Sequence, residues 1–342
     1  MAEPVLSQRA LNRALLARQL LLERTPLSVE EAVEQVGGLQ TQYAPSGYVA
    51  LWTRLAGFRR EELTRALEDR RVVQGTLMRA TIHMVSAREY WRYAAGVREA
   101  RQVWLRRLSR PGEEEAMLAG AGELTRALAA GPQDAKALGE LGSGFLGRLS
   151  IWVDIVRVPP SGTWERRRAD RLALASEWIG PNNIADDEGL AHLVRAHLRA
   201  FGPAPWRDIA SWAGISVTDA KRGGANLDLA CYRDEAGHEL IDLVDMPLPD
   251  PETPAPVRFL PHWDALLLAH ARRCGVLPEV HRPRVFSSHN PFSVGTYLVD
   301  GRVVGAWSLR DGRVMLDPFE EVSAADAREI EREREALEAF HA

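Results

Sequence analysis

A repeated order of helices and strands is the feature of this 342-residue chain that most constrains its fold. Segments with helical spacing of apolar residues lead into alternating apolar and polar residues at 72–85, and the same order returns at 151–163 and at 229–244. In the second and third cases, a turn with proline or glycine separates two short strands. Helices followed by a β-hairpin are the pattern of a winged-helix module. We therefore expect three such modules in tandem.

The C-terminal part of the chain has a different character. After a proline-rich linker at residues 247–256, short strands are joined by Asp300-Gly301 and Asp311-Gly312. An Asp-Gly pair flanked by alternating apolar and polar residues is a strong signal for a tight hairpin. An acidic helix is expected to follow. The predicted fold class is α+β, mainly α, with three tandem winged-helix modules followed by a small C-terminal antiparallel β-barrel. The predicted boundaries are 1–110, 111–182 and 183–247 for the modules, and 257–342 for the barrel with its acidic helix.

The composition is that of a chain with several buried cores, since 46% of its residues are hydrophobic. No apolar run reaches the roughly 18 residues that a membrane-spanning helix needs, and the N-terminus lacks a basic-then-apolar signal, so we expect a cytoplasmic location. Cys231 and Cys274 lack the spacing of a zinc site or a disulfide framework, and both are expected to be small core residues. The nine histidines show no metal-ligand spacing. We therefore expect no metal and no other cofactor.

Charge is distributed unevenly along the chain, although the net charge is only −4. Residues 54–110 contain 14 arginines and 6 acidic residues, whereas residues 317–342 contain 9 acidic residues and 3 arginines. The arginine-rich stretch fits two interpretations. One is a solvated helical surface with salt bridges, and the other is a surface that faces phosphate groups, to which the planar guanidinium group is well suited.

Two glutamines stand where a helix is expected to end. Gly37 and Gly38 precede them and Pro45 follows, so a continuous helix through Gln40 and Gln42 is disfavoured. In extended or helix-end geometry, residues two apart can face the same pocket. Both amides can then reach one ligand. The alternative is that they are ordinary polar residues in a connecting segment, and their spacing does not separate the two interpretations.

Three polar residues alternate with apolar ones in the first hairpin. Arg79, Thr81 and His83 are predicted to share one face of a strand. They form either a solvent-facing strand edge or a surface that contacts nucleic acid. Further along, Asp264 precedes an apolar helical segment and is either a helix cap or a functional carboxylate. No nucleophile elbow, phosphate-binding loop or catalytic triad order is recognisable.

Several separate motifs occur in an order that resembles a known family. They are residues 38–42 (GLQTQ), 48–55 (YVALWTRL), 77–83 (LMRATIH), 159–165 (PPSGTWE), 201–203 (FGP), 260–264 (LPHWD) and 299–305 (VDGRVVG). Together they make the chain similar, almost end to end, to the bacterial winged-helix DNA glycosylases of the AlkZ/YcaQ type. The resemblance implies three winged-helix modules and a C-terminal β-barrel in a C-shaped arrangement that embraces DNA.

The resemblance also implies catalytic residues and an activity. In this family a Gln-x-Gln or Gln-x-Asp motif in the first module is implicated in catalysis, and Gln40 and Gln42 match the Gln-x-Gln branch. Thr41 departs from the aliphatic residue that usually stands between them. The implied activity is hydrolysis of the N-glycosidic bond of N7-alkylguanine in double-stranded DNA, including bulky adducts and interstrand crosslinks.

Two neutral amides suit this chemistry. Alkylation at N7 makes the guanine cationic, so the base leaves as a neutral molecule without a strong general acid. We therefore expect Gln40 and Gln42 to orient the water that attacks C1′ and to stabilise an oxocarbenium-like charge. Arg79, Thr81 and His83 are then expected to contact the DNA.

The scarcity of lysine limits the mechanism further. Lys136 and Lys221 are the only lysines, and neither is close to the glutamine pair in sequence. A monofunctional glycosylase without a Schiff-base step is therefore expected. We expect a monomer that associates with the nucleoid and has no membrane partner. Two other functions fit the pattern, namely a winged-helix transcriptional regulator and a non-catalytic damage-binding resistance protein. Housekeeping repair and self-resistance of an antibiotic producer are both compatible with the sequence.

Overall fold

The computed structural model describes residues 3–110, 112–138, 143–270, 275–286 and 293–342. Helices and strands are mixed along the chain, as in an α+β fold, and helices predominate. The helices are α1 (Gln8–Arg18), α2 (Val29–Gln35), α3 (Ala44–Arg54), α4 (Arg60–Glu68), α5 (Ala87–Leu108), α6 (Glu113–Ala129), α7 (Ser143–Leu149), α8 (Ala175–Ile179), α9 (Asp186–Phe201), α10 (Trp206–Ala213), α11 (Val217–Gly224), α12 (Arg282–Val285) and α13 (Ala324–His341). The strands are β1 (Val5–Leu6), β2 (Leu39–Gln40), β3 (Val72–Thr76), β4 (Ile82–Ser86), β5 (Gln133–Asp134), β6 (Ile155–Arg157), β7 (Arg171–Leu174), β8 (Leu229–Asp234), β9 (Glu239–Leu243), β10 (Arg258–Leu260), β11 (Gly295–Val299), β12 (Arg302–Arg310) and β13 (Arg313–Pro318).

The three hairpins expected from the alternating segments are present as β3–β4, β6–β7 and β8–β9. The first two share one sheet, because β3 and β6 pair antiparallel with Gln74 opposite Arg157. With β2 and β5 at the edges, the strand order is β2-β4-β3-β6-β7-β5. The third hairpin forms a separate sheet of order β1-β8-β9. Strand pairing therefore connects the first two predicted modules.

The sequence predicts that the return strand of the second hairpin begins at Thr163, but in the structure this strand begins at Arg171. The residues between these two positions form a loop, which is held in place by hydrogen bonds to the side chain of Ser161. Its hydroxyl group donates to the carbonyl oxygen of Arg168 at 2.6 Å and accepts from the backbone N–H of Asp170, also at 2.6 Å. These local hydrogen bonds compete with strand pairing and delay the second strand.

The C-terminal strands form an antiparallel sheet of order β10-β11-β12-β13. Both predicted Asp-Gly hairpin turns are confirmed, and all four of their residues have positive φ angles between 47° and 77°. No closed barrel is found among the described residues, which differs from the expectation. The helix α13 packs against this sheet and shares a hydrophobic core with it through Ile330 and Leu337. A helix thus covers apolar surface that closure of the strands would otherwise bury.

The hydrophobic cores follow the predicted module boundaries only in part. One core lies within residues 117–174 and another within residues 194–243. A third unites the first hairpin and α5 with α9, α10 and the C-terminal sheet, and the fourth joins α2, α3 and α4 to that same sheet and α13. The first predicted module is therefore packed against the rest of the chain and has no separate core.

Two local expectations have different outcomes. The sequence predicts helix caps at Ser7 and, with Glu31 three residues later, at Ser28, and both caps are confirmed, the second as a full capping box. Cys231, in contrast, is exposed on β8, so its expected place in a core is wrong. Cys274 lies outside the described residues. Strand β8 has one face towards solvent, which a single sequence does not reveal.

None of the described helices combines the length and the hydropathy that crossing a membrane requires.

The backbones of α5 and α9 cross in direct contact at two glycines. A Cβ atom added to Gly96 would lie 2.6 Å from the carbonyl oxygen of Gly189, and one added to Gly189 would lie 2.3 Å from the backbone nitrogen of Gly96. Contacts this short cannot be accommodated without separating the helices. This crossing brings α9 against the hairpin and helix that follow the glutamine pair.

We expect Gly96→Ala to lower the free energy of unfolding by about 1–3 kcal/mol, because the added methyl group forces the two helices apart. Gly122→Ala in α6 is the matched control, since its Cβ would meet only the end of Arg126 at 3.9 Å. That variant should raise stability by about 0.5–1 kcal/mol through helix propensity. Urea denaturation measures both changes, and two shifts of the same sign would contradict the close crossing.

Candidate active site

The glutamine pair lies at the edge of the six-stranded sheet. Helix α2 ends at Gln35, and Gly37 and Gly38 turn the chain with φ angles of 75° and 83°, which favour glycine. The chain then forms β2, where Gln40 pairs with His83 on β4. The predicted interruption of the helix is thus confirmed.

Gln40 is half-buried and is held by Arg79. The Nη2 atom of Arg79 donates to Oε1 of Gln40 at 2.8 Å, and its Nη1 atom donates to the backbone carbonyl of Trp212 in α10. Burial lowers the pKa of Arg79 to about 10, so the guanidinium group remains charged at neutral pH. The amide of Gln40 is therefore oriented by a cation that is itself anchored to another helix.

Gln42 is exposed, in contrast to Gln40. Its Oε1 atom accepts from the backbone N–H of Ile82 at 3.3 Å, while the N–H of Thr41 donates to the carbonyl of Ile82 at 2.9 Å. A carbonyl oxygen has two lone pairs, so Oε1 of each glutamine can accept one further hydrogen bond. Both amides thus lie along the β2–β4 edge with acceptor capacity left.

Thr41, between the two glutamines, is buried and is hydrogen-bonded to a side chain of β3. Its hydroxyl group donates to Oε1 of Gln74 at 3.3 Å, and Nε2 of Gln74 donates to the carbonyl of Gly162 at 2.9 Å. The threonine hydroxyl therefore has a partner that an aliphatic residue would not use. Sequence reasoning missed Gln74, because its complete burial on β3 depends on pairing with β6. The available signal was the segment 159–165, which carries part of the family resemblance and contains Gly162, the hydrogen-bond partner of Gln74.

Arg79, Thr81 and His83 do not share one strand face, so that prediction is wrong. Arg79 and Ala80 have positive φ angles of 52° and 56° and lie in a 3-10 turn, which breaks the extended geometry before β4 begins at Ile82. Only His83 is on the strand, and its side chain is buried.

His83 is held in an uncharged state. Its Nδ1 atom is 3.1 Å from the carbonyl oxygen of Thr81, which requires that this nitrogen carry the proton to form a hydrogen bond. Burial, assisted by the nearby charge of Arg79, lowers the pKa of His83 to about 3. His83 is thus a neutral support for the turn, and Thr81, half-buried, is the neighbour whose hydroxyl group donates to the carbonyl of Met78 at 3.1 Å.

Acidification from pH 7 to pH 4 is expected to destabilise the fold through buried histidines. Burial is the main cause that lowers the pKa of His83, His192 and His197 to about 3 from an ordinary value of 6.5. Below pH 6.5 the unfolded chain binds protons that the folded chain does not, so stability falls as pH falls through this window. Urea denaturation at several pH values should show a shallower slope for His83→Gln by about one proton. An identical slope would contradict the neutral, buried His83.

The arginine-rich stretch is largely neutralised by ion pairs. This outcome favours the interpretation as a salt-bridged surface over a continuous phosphate-facing one. At least eight of its fourteen arginines contact carboxylates, namely Arg54, Arg59, Arg71, Arg88, Arg92, Arg98, Arg101 and Arg106.

Asp264 caps a 3-10 turn, as one of its two interpretations predicted. Its Oδ1 atom accepts from the N–H of Leu266 at 3.0 Å. Both carboxylate oxygens also accept from Arg54 in α3, each at 2.9 Å, and both side chains are almost fully buried. Asp264 therefore connects α3 to the C-terminal region.

Arg167 is a cation beside the glutamine pair that sequence reasoning missed. It is exposed, its Nη1 atom donates to the hydroxyl group of Tyr43 at 3.1 Å, and its guanidinium group lies 5.7 Å from the ring centre of Trp164. Its neighbours Arg166 and Arg168 both pair with Asp170. In the part of the chain that the structure describes, no carboxylate pairs with Arg167. The run of three arginines at 166–168 was the signal.

No group of three or more histidine, cysteine or acidic side chains is arranged to hold a metal ion within the described ranges.

Comparison with known proteins connects this geometry to one family. The family described as "DNA glycosylase AlkZ-like" matches residues 33–340. An interstrand DNA cross-link repair glycosylase of Streptomyces sahachiroi is 24% identical over 347 residues, which cover 92% of this chain and 91% of that protein. The solved structure of the Streptomyces sahachiroi DNA glycosylase AlkZ has a TM-score of 0.81 at 22% identity, over 98% of this chain and 97% of that chain.

The two kinds of likeness support different statements. At 22% identity, the structural match shows a shared fold. The family match extends over most of the chain and includes the segment that carries both glutamines. The chain therefore belongs to the AlkZ-like family of DNA glycosylases.

Proposed function

We propose that this protein hydrolyses the N-glycosidic bond of N7-alkylguanine in double-stranded DNA, with bulky adducts or interstrand crosslinks among its substrates. The observation that carries the proposal is the pair of amides on the β2–β4 edge, one pinned by Arg79 and the other exposed. Membership in a glycosylase family favours this activity over transcriptional regulation. The relative from Streptomyces sahachiroi is named for repair of interstrand crosslinks, which supports the same class of substrate.

The reaction balances without an acid catalyst. The bond between C1′ and N9 breaks, N9 keeps the electron pair, and the cationic base leaves as neutral 7-alkylguanine. A water oxygen bonds to C1′, and its surplus proton passes to solvent. The protein must hold that water and stabilise the positive charge at the sugar, which dipoles of fixed orientation do without reorganisation.

The two glutamines have different parts in this proposal. The positive charge of Arg79 next to Oε1 of Gln40 opposes an oxocarbenium ion at close range, so Gln40 suits the water better than the sugar. The hydrogen bond that Gln42 accepts comes from a neutral backbone N–H and not from a cation. Its exposed amide therefore suits the developing charge at C1′. We infer that both orient the attacking water, with Gln42 nearer to the reacting carbon.

Contacts with DNA follow from the same surface. The turn that carries Arg79 and Thr81 would face the lesion strand, with His83 beneath it as support. The exposed Arg167 suits a phosphate group beside the glutamine pair. The three helix-and-hairpin blocks would act as winged-helix modules of one monomer that embraces nucleoid DNA.

A Schiff-base step is not part of the mechanism that we propose. Lys136 is exposed next to β5, which is the edge strand opposite β2 in the six-stranded sheet, and Lys221 is exposed on α11. Neither lysine side chain is adjacent to the glutamine pair along the sheet. The product is therefore an intact abasic site.

Release of the free base is the experiment that tests this function. A duplex with a single N7-alkylguanine should lose that base in the presence of the protein, and sodium borohydride should trap no covalent adduct. A borohydride adduct would contradict the monofunctional mechanism. Tight binding to the damaged duplex without release of any base would instead indicate a damage-binding resistance protein.

A further inference from the structure

A cavity of about 260 Å³ is lined by Tyr43 and begins one residue beyond the Gln-Thr-Gln segment. Tyr43, which follows Gln42 in the chain, contributes to its wall together with the first turn of α3 and the end of α13. Its volume is below the range of roughly 300–1,000 Å³ that is typical for drug-sized ligands. The cavity therefore suits one planar ring system and not an extended ligand.

Aromatic side chains form much of the cavity wall. The rings of Tyr43 and His262 meet edge to face at 5.9 Å, and those of His262 and Trp307 lie 6.2 Å apart. The indole N–H of Trp307 donates to the carbonyl of Leu260 at 2.8 Å, which fixes the orientation of its ring. Such rings offer preformed surfaces on which a nucleobase or another planar group can stack.

Polar atoms without partners adjoin these rings. The hydroxyl group of Ser46 and both ring nitrogens of His341 are buried, and they make no hydrogen bond within the described part of the chain. Ser46 is only 3% exposed. Buried polar groups without partners are unfavourable, so a ligand that forms hydrogen bonds with these three atoms would remove an energetic penalty.

The chemistry of the wall distinguishes between ligands. Burial, with the charges of Arg167 and Arg60, lowers the pKa of His341 to about 4, so at neutral pH one of its nitrogens donates and the other accepts. Both arginines disfavour a cationic ligand. The start of α3 offers little to a phosphate group, because Pro45 has no N–H and the N–H of Ser46 already donates to Tyr43 at 2.9 Å.

Resting on the proposed function, we propose that this cavity binds a neutral planar heteroaromatic group of the lesion. Its rings pack against the side chains of Tyr43, His262 and Trp307, and its polar edge bonds to Ser46 and His341. Two parts of a lesion have this chemistry, namely the alkylated purine as it leaves and a heteroaromatic ring carried by its alkyl substituent. Tyr43, which follows Gln42 in the chain, lines the cavity, so either part can enter it from the sugar that water attacks.

The test uses Ser46→Ala and His341→Phe, with Thr53→Val as the matched control. Thr53 lies on the same helix, and its hydroxyl group is also buried without a partner, but it does not line the cavity. Each substitution removes an unsatisfied polar group, so none of the three should lower the thermal midpoint. Only the two cavity variants should slow base release, by about tenfold at enzyme concentrations below saturation. If Ser46 and His341 had only a structural role, their replacement would not slow base release while leaving the thermal midpoint undiminished.

Two substrates identify the part of the lesion that is bound. One duplex contains N7-methylguanine, and the other contains N7-(quinolinylmethyl)guanine, whose substituent has a ring nitrogen that can accept a hydrogen bond. Slower release from both by the cavity variants assigns the cavity to the purine. Slower release from the second alone assigns it to the substituent. Rates equal to the native rate on both substrates would overturn the proposal while leaving the glycosylase activity intact.

A binding measurement keeps the proposal independent of turnover. Free 7-methylguanine and 7-(quinolinylmethyl)guanine are titrated into the native protein and the three variants, with tryptophan fluorescence as the readout. At least one ligand should bind the native protein and Thr53→Val about tenfold more tightly than the cavity variants. If the native protein releases no base, the proposed function fails, and this titration still decides the cavity. Equal affinity in all four proteins would overturn its assignment.

Discussion

Replacing Gln42 by alanine is expected to reduce the rate of base release about 10²–10³-fold, which is the usual loss for one preorganised polar group at a developing charge. The fold should be unaffected, because this side chain is exposed and its described hydrogen bond, from Ile82, is 3.3 Å long. Affinity for undamaged duplex DNA should also change little. Single-turnover release from a duplex with one N7-alkylguanine measures the effect on the chemical step.

Two further variants separate catalysis from binding. Gln42→Asp restores the second branch of the family motif, and its carboxylate can accept from water and oppose the positive sugar, so we expect it to keep most of the activity. Gln133→Ala removes an amide from β5, at the opposite edge of the same sheet, and should release base at the native rate. Native activity in Gln42→Ala would exclude this residue from the chemistry.

Asp264→Ala is expected to cause a large loss of stability, about 3–5 kcal/mol, because it leaves the charge of Arg54 buried without its partner. The two side chains are at most 1% exposed and join α3 to the region that follows β10. The same substitution removes the cap on the N–H of Leu266. A loss of this size is a substantial fraction of the 5–15 kcal/mol typical of folded domains. The free energy of unfolding in urea is the measurement.

The control removes both charges together. Because an apolar pair avoids the cost of an isolated buried ion, Arg54→Met combined with Asp264→Leu should recover at least half of the lost stability. Asp264→Asn keeps a capping oxygen while removing the charge, so it isolates the ionic part of the loss. A loss below about 1 kcal/mol in Asp264→Ala would mean that the pair is solvated like a surface salt bridge.

Short-range backbone preferences explain the predictions that the structure confirms. Gly37 and Gly38 end α2 because their left-handed conformation costs glycine little, and Ser28 caps that helix through a residue only three positions away. The Asp-Gly turns likewise depend on four neighbouring residues. The family resemblance predicted an AlkZ-like fold from motifs spread along the chain, and the TM-score of 0.81 to the solved AlkZ structure confirms that shared fold.

Long-range packing explains the predictions that were wrong or incomplete. The alternation of apolar and polar residues at 78–84 predicted that Arg79 lies on a strand, but Arg79 lies in a turn. From that turn it donates to Gln40 and to Trp212, which is 133 residues away. An open sheet covered by α13 takes the place of the expected barrel in the described residues. The local pattern shows neither the contact of Arg79 with Trp212 nor the packing of α13 on the sheet, because burial depends on which distant surfaces meet.

The sequence by itself determined where α2 ends, where the two Asp-Gly hairpins turn, and that two amides lie two positions apart beyond the end of that helix. These properties follow from interactions over a few residues, which every copy of such a segment would share. Only the tertiary structure decided that Arg79 holds Gln40, that Gln74 anchors Thr41, and that unpartnered polar atoms of α3 and α13 adjoin one cavity. The physical reason is that desolvation and hydrogen-bond partnership belong to pairs of surfaces, and those pairs exist only after the chain has folded.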